Sequence, residues 1–546
     1  MSETLAGPEP AAAGPTALVQ RRRRLLAVGL ALGLALLIAA VTTLDAAGSA
    51  TPGAARLVPA DALGFVDVSL DPGSSEFQQA LAMTTRFPDF GRLERAVGGR
   101  IGAVLAGGHR IDFTRQVLPW VGHEAAVALL NTRTSSADAL IILNVGNAAR
   151  ARAFLHQEGA ARRGSYRGAA LYAYPSGSEL AFASHFLVVG QDASVRAALD
   201  VAGGRTRSLS GSSVYQRAVA SEPEHPALSA YASMAGVRRL LAPRGGILGA
   251  LGDLLYQPAL QGVALALVPG SGGARVLIHS ALDPTLQRLG HARASFTPTL
   301  QNVLPSGAIL MLDVRGLNRM APALLSAGAT AGIGGGVAAL LSRLGGALRA
   351  EGVDVPAVTA LFSGETAVGI VPSAGSNTLV VIARVPSMAR ARTQLAQLEI
   401  PLAQLFQTPN ATRVPVFNDL TVAGVSDHQL ALASGLELDY AVFRGLVVIS
   451  TSSAGVAAVA EHTRRLAQDP GFRSVLPPDP TDVGSLVYMA LPELVAVGQG
   501  TDLISGSGFR RLAPDLAAVG HAGLISMHSS GDATVRITLR WPGSRP

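Results

Sequence analysis

Apolar residues in this chain fall into three kinds of run, and each predicts a different element. Residues 25–44, from Leu25 to Leu44, carry no charge. At 1.5 Å rise per residue, about twenty apolar positions are enough to cross a bilayer as one helix. At the other end of the chain Val535, Ile537, Leu539 and Trp541 alternate with Arg536, Thr538 and Arg540. That period of two predicts a strand with one wet face. Residues 140–143, Leu-Ile-Ile-Leu, lack the alternation and predict a strand buried on both faces. The alanines and arginines of 147–157 then suit a helix covering the sheet. Asp71 with Pro72, and Asp192, stand where a strand hands over to a helix. The runs 259–268 and 274–282, separated by proline and glycine, predict a hairpin.

The same pattern occurs twice. Val58-Pro59-Ala60-Asp61-Ala62-Leu63-Gly64-Phe65-Val66-Asp67-Val68 returns without gaps as Leu304-Pro305-Ser306-Gly307-Ala308-Ile309-Leu310-Met311-Leu312-Asp313-Val314. Residues 140–145 with 149–152 match 380–385 with 389–392, and 186–189 match 445–448. Residues 215–219 with Tyr231 match 472–476 with Tyr488, and the closing strands 276–282 and 535–541 complete the order. The spacing is far too long for a solenoid or propeller repeat. The expected fold class is therefore α+β: two tandem copies of one domain, each a mainly antiparallel sheet with helices on one face, after a transmembrane helix. The corresponding boundaries are a cytoplasmic tail at 1–24, the helix at 25–44 and a linker at 45–56. The first repeat spans 57–283, a second linker 284–302, and the second repeat 303–546.

Leu57-Val58-Pro59-Ala60-Asp61-Ala62, the strand end Val68-Ser69-Leu70-Asp71-Pro72, Arg86-Phe87-Pro88 and the later Asp469-Pro470-Gly471-Phe472 carry a resemblance. Together with the single preceding anchor, they resemble the bacterial family known only as domain of unknown function 3352. The resemblance implies a membrane-anchored extracytoplasmic protein with no assigned activity, and brings no catalytic residue with it.

Charge sets the direction of the anchor. Arg21, Arg22, Arg23 and Arg24 directly precede Leu25, which by the positive-inside rule keeps the N-terminus in the cytoplasm and sends the rest across the cytoplasmic membrane. The alternative is a cleavable secretory signal, whose apolar part is shorter, about 7–15 residues. Residues 46–50, Ala-Ala-Gly-Ser-Ala, offer a small-residue site for it. Hydrophobic residues make up 49% of the chain and charged ones 15%, so there is ample material for a core. The absence of cysteine excludes disulfides, thiol nucleophiles and a lipidated-cysteine anchor. Of the net charge of +7, the part beyond residue 50 is +6 and is spread over scattered arginines, which gives no support to nucleic-acid binding.

Catalytic motifs are largely excluded. The chain has no lysine, hence no Walker A loop or Schiff base, and neither a Gly-x-Ser-x-Gly elbow nor His-Glu-x-x-His. His123-Glu124 is followed by Ala126 and Val127, and its duplicate reads Gly364-Glu365, so the histidine has no counterpart. Asp67 and Asp313 are equivalent; they are expected to face solvent or cap an amide, the sharper alternative being a carboxylate pair for acid–base work or a cation. His521 and His528 are seven apart, which in a strand places them on opposite faces. His279 is expected to be solvated. Gly332-Ile333-Gly334-Gly335-Gly336 lacks the dinucleotide fingerprint, because its sixth position is Val337.

Residues 320–342 carry no charge, and Gly328, Gly332 and Gly336 recur every fourth position. This predicts a buried or membrane-facing helix within the second repeat, with that glycine face as an apolar ligand or membrane surface. No metal or cofactor is expected. The expected function is a non-enzymatic binding or scaffold module, with the membrane and an envelope protein or hydrophobic small molecule as partners. A carrier or sensor for a lipid-like ligand is the alternative, with a cavity expected beneath 321–348. An envelope hydrolase comes third and requires at least two of His123, Asp67, Asp313, His521 and His528 to share a cleft.

Overall fold

The computed structural model describes residues 53–87, 113–130, 138–241, 259–289, 295–319, 358–405, 415–461, 464–500 and 513–544, apart from residues 72, 176, 224, 225, 374, 375, 434 and 435. The arginines 21–24, the run from Leu25 to Leu44, and Gly328, Gly332 and Gly336 lie outside these residues. Among the described residues no helix is long and apolar enough to cross a membrane. Contacts divide the chain into two units, one of residues 1–74 and 91–212, the other of 75–90 and 213–546.

The first unit is an antiparallel sheet of β1 (Gly64–Ser69), β2 (Val121–Leu130), β3 (Asp138–Val145), β4 (Ala161–Tyr166), β5 (Ala169–Ala173), β6 (Glu179–Ala183) and β7 (Phe186–Gly190). Their order is β1-β2-β3-β7-β6-β5-β4. The unalternated β3 lies inside this order, and Leu140, Ile141, Ile142 and Leu143 are all buried as its pattern predicts. The helix Ala148–Gln157 follows it, started by the Asn147 side chain accepting the Arg150 amide at 3.0 Å. Its Phe154 ring lies 5.6 Å from that of Trp120. Arg167 and Gly168 both take positive φ at the β4–β5 turn, which matches the twist of a two-residue hairpin.

The second unit contains β8 (Leu228–Ser233), β9 (Leu260–Gly270), β10 (Gly273–Leu282), β11 (Leu310–Arg315), β12 (Glu365–Ser373), β13 (Ser376–Arg384) and β14 (Asn418–Val422). It continues with β15 (Val425–Ala433), β16 (Leu436–Phe443), β17 (Leu446–Ser450), β18 (Ser485–Ala490), β19 (His521–Ser529) and β20 (Asp532–Arg540). Antiparallel pairing gives the order β8-β9-β10-β20-β19-β18-β11-β12-β13-β17-β16-β15-β14. The expected hairpin is β9–β10. Beyond it the two closing strands, β10 and β20, pair with each other, Leu277 opposite Arg536.

Helices on one face are not what the second unit has. The helix Ser453–Ala460 packs Val456 and Val459 against Val380, Ile382 and Val448, while Met388–Leu405 packs Leu395 and Leu398 against Ala383 and Val447. Adjacent residues of β13 and β17 therefore serve opposite faces. Strands without polar alternation expose apolar surface on both sides, and each side needs its own cover. β20 also departs from its predicted wet face: Arg536 is exposed, but the other residues from Asp532 to Arg540 are all half-buried.

Candidate functional site

The repeated Val-Pro/Leu-Pro motifs act as seats, each within its own unit. In the first unit the Leu209 amide donates to the Val58 carbonyl at 2.7 Å, and the Ala60 amide to the Arg207 carbonyl at 3.0 Å. In the second, the Leu466 amide donates to Leu304 at 2.9 Å and the Ser306 amide to Arg464 at 2.8 Å. Just upstream of each motif lies a short 3₁₀ turn, Ala54–Arg56 and Leu300–Asn302, whose free amides need acceptors.

Those acceptors are glutamates. Glu124 on β2 takes the Gly53 amide at 3.0 Å and the Ala54 amide at 2.7 Å. Glu365 on β12 takes the Leu300 amide at 2.9 Å and the Thr299 hydroxyl at 2.6 Å, with the Thr299 amide also donating. Arg384 Nε donates to Glu365 Oε2 at 3.0 Å.

Each glutamate also meets an aspartate. Asp67 pairs with Ala126 and Asp313 with Ala367, so the glutamate two residues before each alanine sits diagonally on the same sheet face. Both aspartates are buried, Asp313 completely, which overturns the expectation that they face solvent. The partner of each is a glutamate of its own unit. Among the described residues no donor bonds to either Asp313 oxygen; the Glu365 carboxyl faces it. Burial, and then the charge of Glu365, push the Asp313 carboxyl up to about 9. At neutral pH it carries a proton and donates it to Glu365. Burial likewise raises Glu124. These pairs hold a turn in place; neither the Asp67 nor the Asp313 pair lines the two cavities described below.

A further carboxyl pair, Asp427 and Asp439 on β15 and β16, is wholly buried, and burial pushes the two to about 6 and about 7. The sequence gives no duplicate for it. Among the described residues, no group of three histidines or carboxylates could hold a metal ion.

The other candidate residues stand apart. His123 is exposed, and it neighbours Glu124 along β2, so the two side chains leave opposite faces. His521 and His528 stand at opposite ends of β19. His279, expected to be solvated, is 6% exposed: its Nδ1 lies 3.0 Å from Thr534 Oγ1 and its Nε2 3.4 Å from Asp532 Oδ1. Pairing of β10 with β20 supplies both partners, which no local pattern could reveal.

The open surface lies on the second unit. The helices Ser213–Val219 and Pro470–Val475 cover β8–β10 and β18–β20 respectively. Between them a groove of about 500 Å³ is lined by Pro223, Val268, Arg275, Val276, Leu277, Val475, Leu476, Pro477, Ile525, Arg536 and Thr538. Apolar and polar side chains share its lining; among the described residues its two charges are both arginine, and no carboxylate lines it. Sequence matching of 276–282 with 535–541 identified the strands that form it, but not that they pair.

A second cavity, of about 450 Å³, lies on the other flank of Pro470–Val475 and is lined by residues that include His521, Arg473 and Arg540. None of His123, Asp67, Asp313 or His528 lines it.

A family model described as protein of unknown function (DUF3352) matches residues 24–522. No curated protein matches the chain. Among solved structures, crystal form IV of TP0453 is 13% identical, with a TM-score of 0.26, covering 48% of this chain and 87% of that one. Crystal form I of TP0453 is 11% identical, also at a TM-score of 0.26, covering 46% and 88%. Likenesses of this size carry no argument about fold or function.

Proposed function

We propose, from the premise that this chain belongs to the family described as protein of unknown function (DUF3352), that it is a membrane-anchored, extracytoplasmic binding module and not an enzyme. Arginines 21–24 and the apolar run 25–44 support the anchor and its orientation. Two copies of one α+β domain make up the rest. Five sequence segments matched in order support this, as does the order β1-β2-β3-β7-β6-β5-β4, which recurs as β11-β12-β13-β17-β16-β15-β14.

The groove between Ser213–Val219 and Pro470–Val475 carries the binding reading. β10 and β20 are paired on both sides, yet Leu277, which lines the groove, is only half-buried. Apolar surface left open at the middle of a sheet calls for an occupant. With Arg275 and Arg536 in its lining, that occupant is a ligand with an apolar body and an anionic end, a long-chain carboxylate being the simplest. An enzyme reading has no comparable support, since neither of the two cavities described is lined by two of its five candidate residues.

The test uses the full chain in zwitterionic lipid nanodiscs with a photoactivatable long-chain fatty acid and peptide mapping. Labelling is expected around Leu277 and Ile525, competed by oleate, and lost in Leu277→Glu and Arg536→Glu. Labelling that is uncompeted, or unchanged in both variants, rejects the proposal.

A further inference from the structure

The second cavity is built around an exchange of bulk between a helix and a strand. On β9, Gly262 stands opposite Ser233, two residues past Tyr231. A Cβ there would lie 3.0 Å from Val214 Cγ1 and 2.9 Å from the Tyr231 ring, so the valine of Ser213–Val219 fills that space. On β19 the corresponding register position, opposite Ala490 and two past Tyr488, is His521. Here the helix residue is Gly471, and a Cβ on it would lie 2.6 Å from His521 Cε1 and 2.8 Å from Nε2. An imidazole thus replaces an apolar filling, and the glycine makes room for it.

The ring is held. Its Nδ1 lies 3.1 Å from the Tyr488 hydroxyl, with the two rings stacked. Burial raises Tyr488, so the phenol keeps its proton; when it donates to Nδ1, Nε2 carries a hydrogen on the Gly471 side, and Gly471 lines the cavity. Arg540 is the cross-strand neighbour of His521, and its Nε donates to the Ser474 carbonyl at 3.3 Å, fixing the guanidinium over the same cavity. Arg473 completes the polar wall, together with Ser474 and Ser544, whose hydroxyls donate to the Gly471 and Gly272 carbonyls at 2.7 and 3.0 Å, and Trp541 forms its apolar side. Among the described residues no carboxylate lines the cavity. The nearest acid in sequence, Asp469, is occupied by the Ser306 hydroxyl at 2.7 Å and by the Gly307 and Gly471 amides at 3.1 and 2.8 Å.

We propose that this cavity is an oxyanion site for a phosphate monoester, with Arg473 and Arg540 supplying charge and His521 Nε2 orienting the oxygens. Two guanidiniums and a neutral donor without a competing acid match the several oxygens of a phosphate better than the two of a carboxylate. The proposal is independent of the fatty-acid groove, which lies on the other flank of the helix.

Inorganic phosphate and glycerol 3-phosphate are the probes, titrated calorimetrically into the full chain in nanodiscs, with acetate as the control. Saturable binding of both phosphates is expected, weakened at least tenfold by Arg473→Glu and by Arg540→Gln and far weaker for acetate. Arg473 is exposed, so its variant keeps the test valid should Arg540→Gln fail to fold. Absence of saturable phosphate binding to the folded chain, equal binding of acetate, or wild-type affinity in Arg473→Glu each overturns the proposal.

Discussion

The Asp313 carboxyl lies wholly buried against the Glu365 carboxyl, which in turn caps the turn Leu300–Asn302. Two acids can occupy that space only while they share a proton. A carboxyl whose folded-state value is raised stabilises the fold fully below its unfolded value, and that stability is lost as pH rises toward the folded value. For Asp313 the window runs from about 4 up to about 9. Asp313→Asn supplies a permanent donor to Glu365 in the same shape. Its melting temperature is expected to exceed wild type at pH 8 by several degrees, the gain shrinking toward pH 4. A gain independent of pH, or a loss at pH 8, contradicts the shared proton.

Glu124 and Glu365 occupy the same position in their units, each serving the amides of a short turn. Alanine at either position leaves buried amides without an acceptor and strands an aspartate. Each substitution is expected to cost about 1–3 kcal/mol in denaturant unfolding. Glu365→Ala is expected to cost more, because Thr299 and Arg384 lose their partner as well. Substitution of the exposed His123 is expected to change stability by less than about 0.5 kcal/mol. Equal effects of Glu124→Ala and His123→Ala would remove the capping role.

Gly471 and His521 are coupled by space. Gly471→Val is expected to drive a side chain into the imidazole and to destabilise the fold by about 1–3 kcal/mol. His521→Gly recreates the arrangement of Val214 with Gly262, so the double variant is expected to recover most of that loss. A double-mutant cycle measured by urea unfolding checks it. Additive effects would mean the two residues do not compete for one space.

What could be read in the sequence followed from chemistry local to the chain. Unbroken and alternating apolar runs gave β3, the β9–β10 hairpin and the helix after Asn147, because side-chain periodicity and capping act over a few residues. Family membership was legible in short motifs such as Leu57–Ala62, whose backbone seats fix their residues. The buried carboxyl pairs were half legible. Glu124 and Glu365 were visible as the duplicated residue beside the unduplicated His123, but their meeting with Asp67 and Asp313 depends on the register of β1 on β2 and of β11 on β12. One residue of slip would put the partners on opposite faces. The cover on both faces of β13 and β17, the burial of His279, and both grooves arise from pairings and packings between segments far apart in the chain, β10 with β20 above all. Such contacts are chosen by the burial of whole sheet faces, and no short stretch of sequence contains that choice.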